Sequence, residues 1–185
     1  MKEKHPDREE CLKMLKDYNT PPHVIRHCEA VTDTALIIAR ALMEKGLFFD
    51  VPLIRAAGLL HDVARVDEKH WVTGADFARR CGYHEEAAII QNHMSHTFDT
   101  DPKKLRELDM VCLADRLILE DAYVGIDARM EYLIKKINAD KETERYIMAK
   151  KEITRALVRN IENLIGMAIE DLINKKNGGG ANDIK

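Results

Sequence analysis

Apolar residues recur along this chain at spacings of three and four, the period of one helix face, and the two-residue alternation of strands is nearly absent. Val24, Val31, Ala35, Ile38 and Leu42 share such a face. Thr20 is the expected cap of that helix, Pro21 and Pro22 fall in its first turn, and Gly46 is the expected stop. Asp50 and Pro52 open a second stripe of Leu53, Ala56, Ala57 and Leu60. A short helix is expected from about Trp71 to Gly82, and another through Glu85, Ile89, Ile90 and His93. Asp101 and Pro102 repeat the cap-plus-proline start and lead through Leu105, Leu108, Val111 and Cys112. Residues 128–138 and 141–175 read as C-terminal helices, the second rich in favourable Glu/Lys spacings. The pattern predicts an all-α fold: an N-terminal helical segment over 1–19, one helical domain over 20–175, and a frayed glycine-rich tail over 176–185.

Composition narrows the class. The hydrophobic fraction of 45% and charged fraction of 33% belong to a folded globular chain. The net charge of −3, from 29 basic and 32 acidic residues mixed along the sequence, lacks the concentrated basic face of a dedicated nucleic-acid binder. Cys11, Cys28, Cys81 and Cys112 form no CxxC pair, the first residues are too polar for a secretory leader, and no apolar run would span a bilayer. Reduced thiols, a cytoplasmic location and no membrane partner are therefore expected.

The informative residues break the helical pattern. Asp115 lies one turn past Val111 and Cys112, so a carboxylate falls on the buried face, where an unpaired charge costs several kcal/mol. An Arg, a His or a metal would each neutralise it. His27 falls between Val24 and Val31, His61 and Asp62 follow Leu59 and Leu60, and His93 follows Ile89 and Ile90. Each alone has an ordinary structural reading, as a hydrogen-bonded core histidine or a salt-bridged aspartate. Together, on separate predicted helices, they suggest convergence on a divalent metal that accepts both imidazole and carboxylate: iron, manganese, zinc or nickel.

His27, then His61 with Asp62, then Asp115 resemble the H…HD…D signature of HD-domain phosphohydrolases, which implies a helical bundle of the HD type. Residues 24–31, 56–65, 70–75, 89–93 and 111–115 look like their counterparts in the YqeK-like branch, whose members split diadenosine tetraphosphate symmetrically into two ADP. The motif-bearing part runs over 22–119, with C-terminal helices over 128–175. The resemblance implies one metal held by His27, His61, Asp62 and Asp115, and a second, bridged by Asp62, held by His70 and His93. Iron is the expected metal, one or two ions per chain, with manganese, nickel or zinc as substitutes. The implied reaction is attack on phosphorus by a metal-activated water. Asp62 and Arg65 are then the catalytic candidates. Arg65 would also grip a substrate phosphate through paired hydrogen bonds, although an ordinary surface ion pair is an equal reading. His96 is a further substrate-binding candidate.

Three departures from that branch leave the substrate open. The segment between Asp62 and His70 is short, Met94 follows His93 where a second His would stand, and residues 116–121 lack an acidic-Pro-Asn-Arg run. The expected partner is a small phosphorylated substrate of nucleotide type. A di-iron oxygenase on the same fold and a non-catalytic nucleotide-binding sensor are the alternatives. The apolar stripe of Ile153, Leu157, Ile161, Leu164 and Ile165 could pack on its own domain or form a homodimer.

Overall fold

The computed structural model describes residues 5–178, in helices α1 Arg8–Asp17, α2 Pro22–Met43, α3 Val51–Leu60, α4 His70–Arg80, α5 His84–Asn92, α6 Glu107–Asp115, α7 Gly125–Ile137, α8 Lys141–Ile165 and α9 Ile169–Gly178. A two-stranded antiparallel hairpin, β1 Ile118–Leu119 and β2 Ala122–Tyr123, is the one sheet among the described residues. The fold is all-α but for that hairpin, as the periodicity predicts. The expected tail over 176–185 lies mostly outside the described residues.

The longest apolar stripe becomes the spine. Val24, Cys28, Val31, Ala35, Ile38 and Leu42 are all buried on α2, which packs against α3, α6, α8 and α9. Helix α3 is apolar on more than one face and serves two cores. Ile54 and Ala57 join the larger cluster with α2, α6 and α8, while Ala56, Leu59 and Leu60 join a smaller one with α1, α4 and α5. A side chain projecting from the C-terminal end of α3 therefore emerges between two packed cores, a rigid place to mount a functional group.

Several local expectations are corrected. Thr20 does not cap α2, whose first turn has no side-chain cap; its buried hydroxyl instead donates to the Val63 carbonyl at 2.7 Å, tying the start of α2 to the loop after α3. Asp101 caps only a single 3-10 turn, Pro102–Lys104; the chain turns extended at Leu105, and the helix restarts at Glu107. Helix α7 begins at Gly125 rather than 128. The stretch 141–175 is two helices, because Gly166 takes the left-handed φ of 78° that ends α8 and turns the chain into α9. Asp50 caps α3 as expected, accepting from the Leu53 N–H at 3.2 Å.

Two buried cations fasten the C-terminal helices. Arg116 lies 4.3 Å over the Phe98 ring and donates to the Thr154 hydroxyl and to the His96 carbonyl. Lys151 meets Asp127 at 2.8 Å across the α7–α8 pair. Neither was legible as buried in the sequence. Among the described residues no helix is long and apolar enough to cross a membrane.

Candidate metal centre

Most of the converging side chains stand at helix ends. His61 and His93 are the C-cap residues of α3 and α5, Asp115 is the last residue of α6, and His70 is the first of α4; only His27 projects from within a helix, α2. The final carbonyls of a helix lack partners within it. Here they are used: His61 Nδ1 donates to Gly58 O at 2.7 Å, and His93 Nδ1 donates to Ile90 O at 2.6 Å. Each bond fixes its ring and directs the other nitrogen, Nε2, inward. Three helix C-termini, those of α3, α5 and α6, also bring partial negative charge to one point, which favours a cation.

The rings form a chain. Centroids are 5.5 Å apart for His27 and His61, 5.4 Å for His61 and His93, and 5.4 Å for His93 and His70. Two carboxylates sit within it. Asp115 Oδ1 lies 3.2 Å from His27 Nε2 and 3.9 Å from His61 Nε2. Asp62 Oδ1 lies 3.2 Å from His70 Nε2 and 3.7 Å from His93 Nε2, and its Oδ2 lies 3.7 Å from His61 Nε2. Two groups result, His27 with His61 and Asp115, and Asp62 with His70 and His93; within each, the donor atoms all lie within 4.8 Å of one another. Ligands about 2.1 Å from a common ion stand roughly 3 to 4 Å apart, so each group needs little movement to close on one.

The fit to a cation rests on more than spacing. His61 Nε2 and Asp62 Oδ1 are buried and have no hydrogen-bond partner among the described residues. Leaving a buried donor or acceptor unpaired costs about 1–3 kcal/mol, and here two such atoms belong to neighbouring residues of the same cluster. A divalent ion satisfies both. Imidazole nitrogen with carboxylate oxygen is the donor set of iron, manganese, nickel and zinc.

Electrostatics within the cluster agree. Burial alone would raise the Asp62 carboxyl, but His61, His70, His93 and Arg65 outweigh it and hold it well below the usual carboxylate range. Burial likewise opposes ionisation of Asp115, and the His27 hydrogen bond and the His61 charge reverse it downward. Burial lowers His61, which favours the neutral imidazole that a metal would need, against the pull of Asp62 and Asp115. For His27 and His93 burial is overcome by Asp115 and Asp62 respectively, and both are raised.

Of the residues singled out in the sequence, His27, His61, Asp62, His70, His93 and Asp115 come together. Arg65 is at the rim, exposed, with its Nε 3.5 Å from Asp62 Oδ2 and an Nη 3.4 Å from His70 Nε2. His96 is placed elsewhere: its Nε2 pairs with Asp109 Oδ1 at 2.7 Å and its ring packs on Phe98. The supports of the ligands were not legible. His27 Nδ1 donates to the carbonyl of Glu120 at 2.6 Å, in the hairpin turn; only the short run of Ile118, Leu119, Ala122 and Tyr123 around a polar pair hints at it.

Known proteins bear on this arrangement. The HD domain family model matches residues 24–119, which span all the converging histidines and aspartates. The uncharacterized protein MJ0778 of Methanocaldococcus jannaschii is 30% identical over 166 residues, covering 80% of this chain and 98% of that protein. A tRNA (cytidine(56)-2'-O)-methyltransferase of Thermoplasma volcanium is 24% identical over 176 residues, 86% of this chain but 50% of its own length. Ribonuclease Y of Clostridium perfringens is 35% identical over 120 residues, 61% of this chain and 22% of that protein. The chain thus spans nearly all of the first relative and only a part of the other two. No solved structure matches it. HD domains bind divalent metals and are generally hydrolases, which is the chemistry that a shared His/Asp cluster with two unpaired buried ligand atoms invites. The matched span, the order of the ligands along it and their convergence agree, and the chain belongs to the HD-domain family.

Proposed function

We propose that this chain is a metal-dependent phosphohydrolase with a two-metal site, cleaving a phosphate ester or anhydride of a nucleotide-type substrate. The observation that carries the reading is the position of Asp62. Its carboxylate reaches His61 on one side and both His70 and His93 on the other, so one aspartate is shared between two ligand groups. His27, His61, Asp62 and Asp115 would hold one ion; Asp62, His70 and His93 would hold the other. Iron is the first candidate, with manganese, nickel and zinc as substitutes. Divalent ions bound there lower the pKa of a water and screen the oxygens of a phosphate.

The remaining work falls to the protein's own side chains. The buried imidazoles of His61 and His93 are locked by backbone carbonyls, so the site is pre-arranged. Arg65, on the exposed rim, is free to swing from Asp62 toward a phosphate and hold it in a forked pair of hydrogen bonds. Diadenosine tetraphosphate is the specific substrate suggested by the motif context. The nearly balanced charge, 29 basic against 32 acidic residues, favours a free nucleotide over long RNA. Similarity to proteins named ribonuclease Y and tRNA methyltransferase supports short RNA as the second reading.

The test is product analysis with anaerobically purified protein supplied with iron or manganese. Substrates are diadenosine tetraphosphate, nucleoside mono- and diphosphates, and a short oligoribonucleotide. ADP alone from the dinucleotide supports the specific substrate, phosphate from mononucleotides supports only the class, and shortened RNA favours the second reading. No turnover by a protein that retains metal would refute hydrolysis and leave the oxygenase and sensor alternatives.

A further inference from the structure

His27 is supported differently from its neighbours. His61 and His93 stand at helix ends and take the carbonyl three residues back on their own chain segment, at 2.7 and 2.6 Å. His27 sits inside α2, where the carbonyls nearby are already engaged in the helix ladder. Its Nδ1 donates instead to Glu120 O, 93 residues away in sequence, at 2.6 Å.

The backbone at Glu120 is unusual. Its φ of 57° lies in the left-handed region, shared among non-glycine residues described here only with Asn19 and Asn138. Asparagine tolerates that region; glutamate gains nothing from it. The Glu120 side chain is exposed, and only its carbonyl takes part in a hydrogen bond. Such a conformation persists where surrounding structure imposes it, and such positions gather at functional sites. The imposing contacts are present. Ile118 pairs with Tyr123 and Leu119 with Ala122. The Val124 and Gly125 N–H groups both donate to Leu117 O, at 2.9 and 3.2 Å. At the tip, Arg26 Nε meets Asp121 Oδ2 at 3.2 Å. Consecutive residues of α2, Arg26 and His27, thus hold consecutive residues of the turn, Asp121 and Glu120.

We propose that the left-handed turn at Glu120 is a positioning element for one half of the metal site, with Glu120 as a positioning residue acting through His27. Its carbonyl holds the proton on His27 Nδ1 and aims Nε2 at Asp115, while the group of Asp62, His70 and His93 does not depend on it. This deepens the two-metal reading and rests on it for the metal outcome, but the state of the imidazole can be read without any metal. Glu120→Gly keeps the turn and carbonyl. Glu120→Val disfavours the left-handed region and pulls the carbonyl away.

In metal-free protein labelled with ¹⁵N-histidine, a protected His27 Nδ1–H is expected in the parent and in Glu120→Gly, and its loss in Glu120→Val. Arg26→Ala, which removes a tether between two exposed side chains and leaves the fold standing, is expected to speed exchange of that proton several-fold. In zinc titration calorimetry, Glu120→Val should weaken one equivalent by roughly 10- to 100-fold, the usual effect of losing a ligand's support, and leave the other unchanged. An undisturbed Nδ1 proton in Glu120→Val and Arg26→Ala overturns the proposal. So does equal weakening of both equivalents in a variant with the parent's circular dichroism. If the parent binds no second equivalent, the two-metal reading fails while the imidazole signal still decides the role of the turn.

Discussion

Gly58 is buried in α3, one turn before His61, where α3 crosses α2. A Cβ there would meet Thr32 Oγ1 at 2.7 Å and the Thr32 Cα and Cβ at 3.3 Å. The expected effect of Gly58→Ala is a contest between two terms. Alanine is favoured over glycine in a helix interior by about 1 kcal/mol. Against it stands overpacking of a closed core, about 1–3 kcal/mol. Thr32 cannot simply turn aside. It is fully buried and its hydroxyl donates to Cys28 O at 2.7 Å, a bond worth about 1 kcal/mol. Its Cα, part of the α2 backbone, cannot rotate at all. The clash wins, and a net loss of about 1–2 kcal/mol is expected, or about 2–8 °C in the melting temperature of a chain this size.

Urea unfolding of metal-free Gly58→Ala, Thr32→Ala and the double variant provides the assay. Removing the threonine side chain opens the space that the added methyl group would fill, so the double variant should be more stable than the sum of the singles by about 1 kcal/mol or more. The same wedge parts α2 from α3, which carry His27 and His61 with rings 5.5 Å apart. Metal affinity should therefore fall in Gly58→Ala and return in the double variant. A Gly58→Ala protein more stable than the parent, or strictly additive effects, would refute the close approach as the reason for glycine here.

Other consequences are more direct. Arg65→Ala should raise the Michaelis constant for a phosphate substrate with metal content unchanged, since Arg65 is exposed and leans on the cluster from outside; an unchanged constant removes its phosphate role. The His27–Asp115 bridge contributes to the pH dependence of stability of the metal-free protein above neutral pH. With His27 raised above its ordinary value of about 6.5, the bridge contributes fully below that pH and is lost as pH rises through the higher folded value. His93 acts in the same sense, so Asp115→Asn should reduce the alkaline loss in thermal melts without abolishing it, and an unaltered slope would count against the bridge. At the acid end, the contributions of Asp62 and Asp115 are lost as pH falls below about 3.9 and through their depressed folded values. Of the four cysteines only Cys81 is exposed, and burial pushes Cys11 up to about 12 and also raises Cys28 and Cys112. A thiol reagent should modify Cys81 alone until the protein unfolds; early loss of a second thiol would mean a looser core.

Most of the candidate ligands were legible because they violate a pattern. A histidine between Val24 and Val31, or an aspartate a turn past Val111, costs too much on a buried face to be there without a partner, and that cost can be read from sequence spacing alone. The second group was less visible. His70 begins a helix and breaks no stripe, so only the family motif pointed to it, and only folding put its Nε2 within 3.2 Å of Asp62. Thr20 was misread because a hydroxyl before two prolines satisfies the rule for a cap, while the Val63 carbonyl that takes it is 43 residues away. Gly166 ends a helix inside a stretch whose apolar spacing reads as continuous, since one left-handed residue outweighs the helical pattern on either side of it.

What stayed hidden around the histidines shares one property: the backbone supplies it. Gly58 O, Ile90 O and Glu120 O orient three of the histidines, and a carbonyl is the same atom whatever residue carries it. For His61 and His93 the carbonyl follows from the helix once its end is known, so a ligand at a C-cap brings its own support. For His27 it does not, because a histidine in mid-helix must borrow a carbonyl from elsewhere. The hairpin that lends it, residues 118–123 with two residues in each strand, is too short to register as strands. A metal ligand inside a helix should therefore prompt a search of the chain for a distant turn that can lend it a carbonyl, whereas one at a helix C-terminus needs no such search.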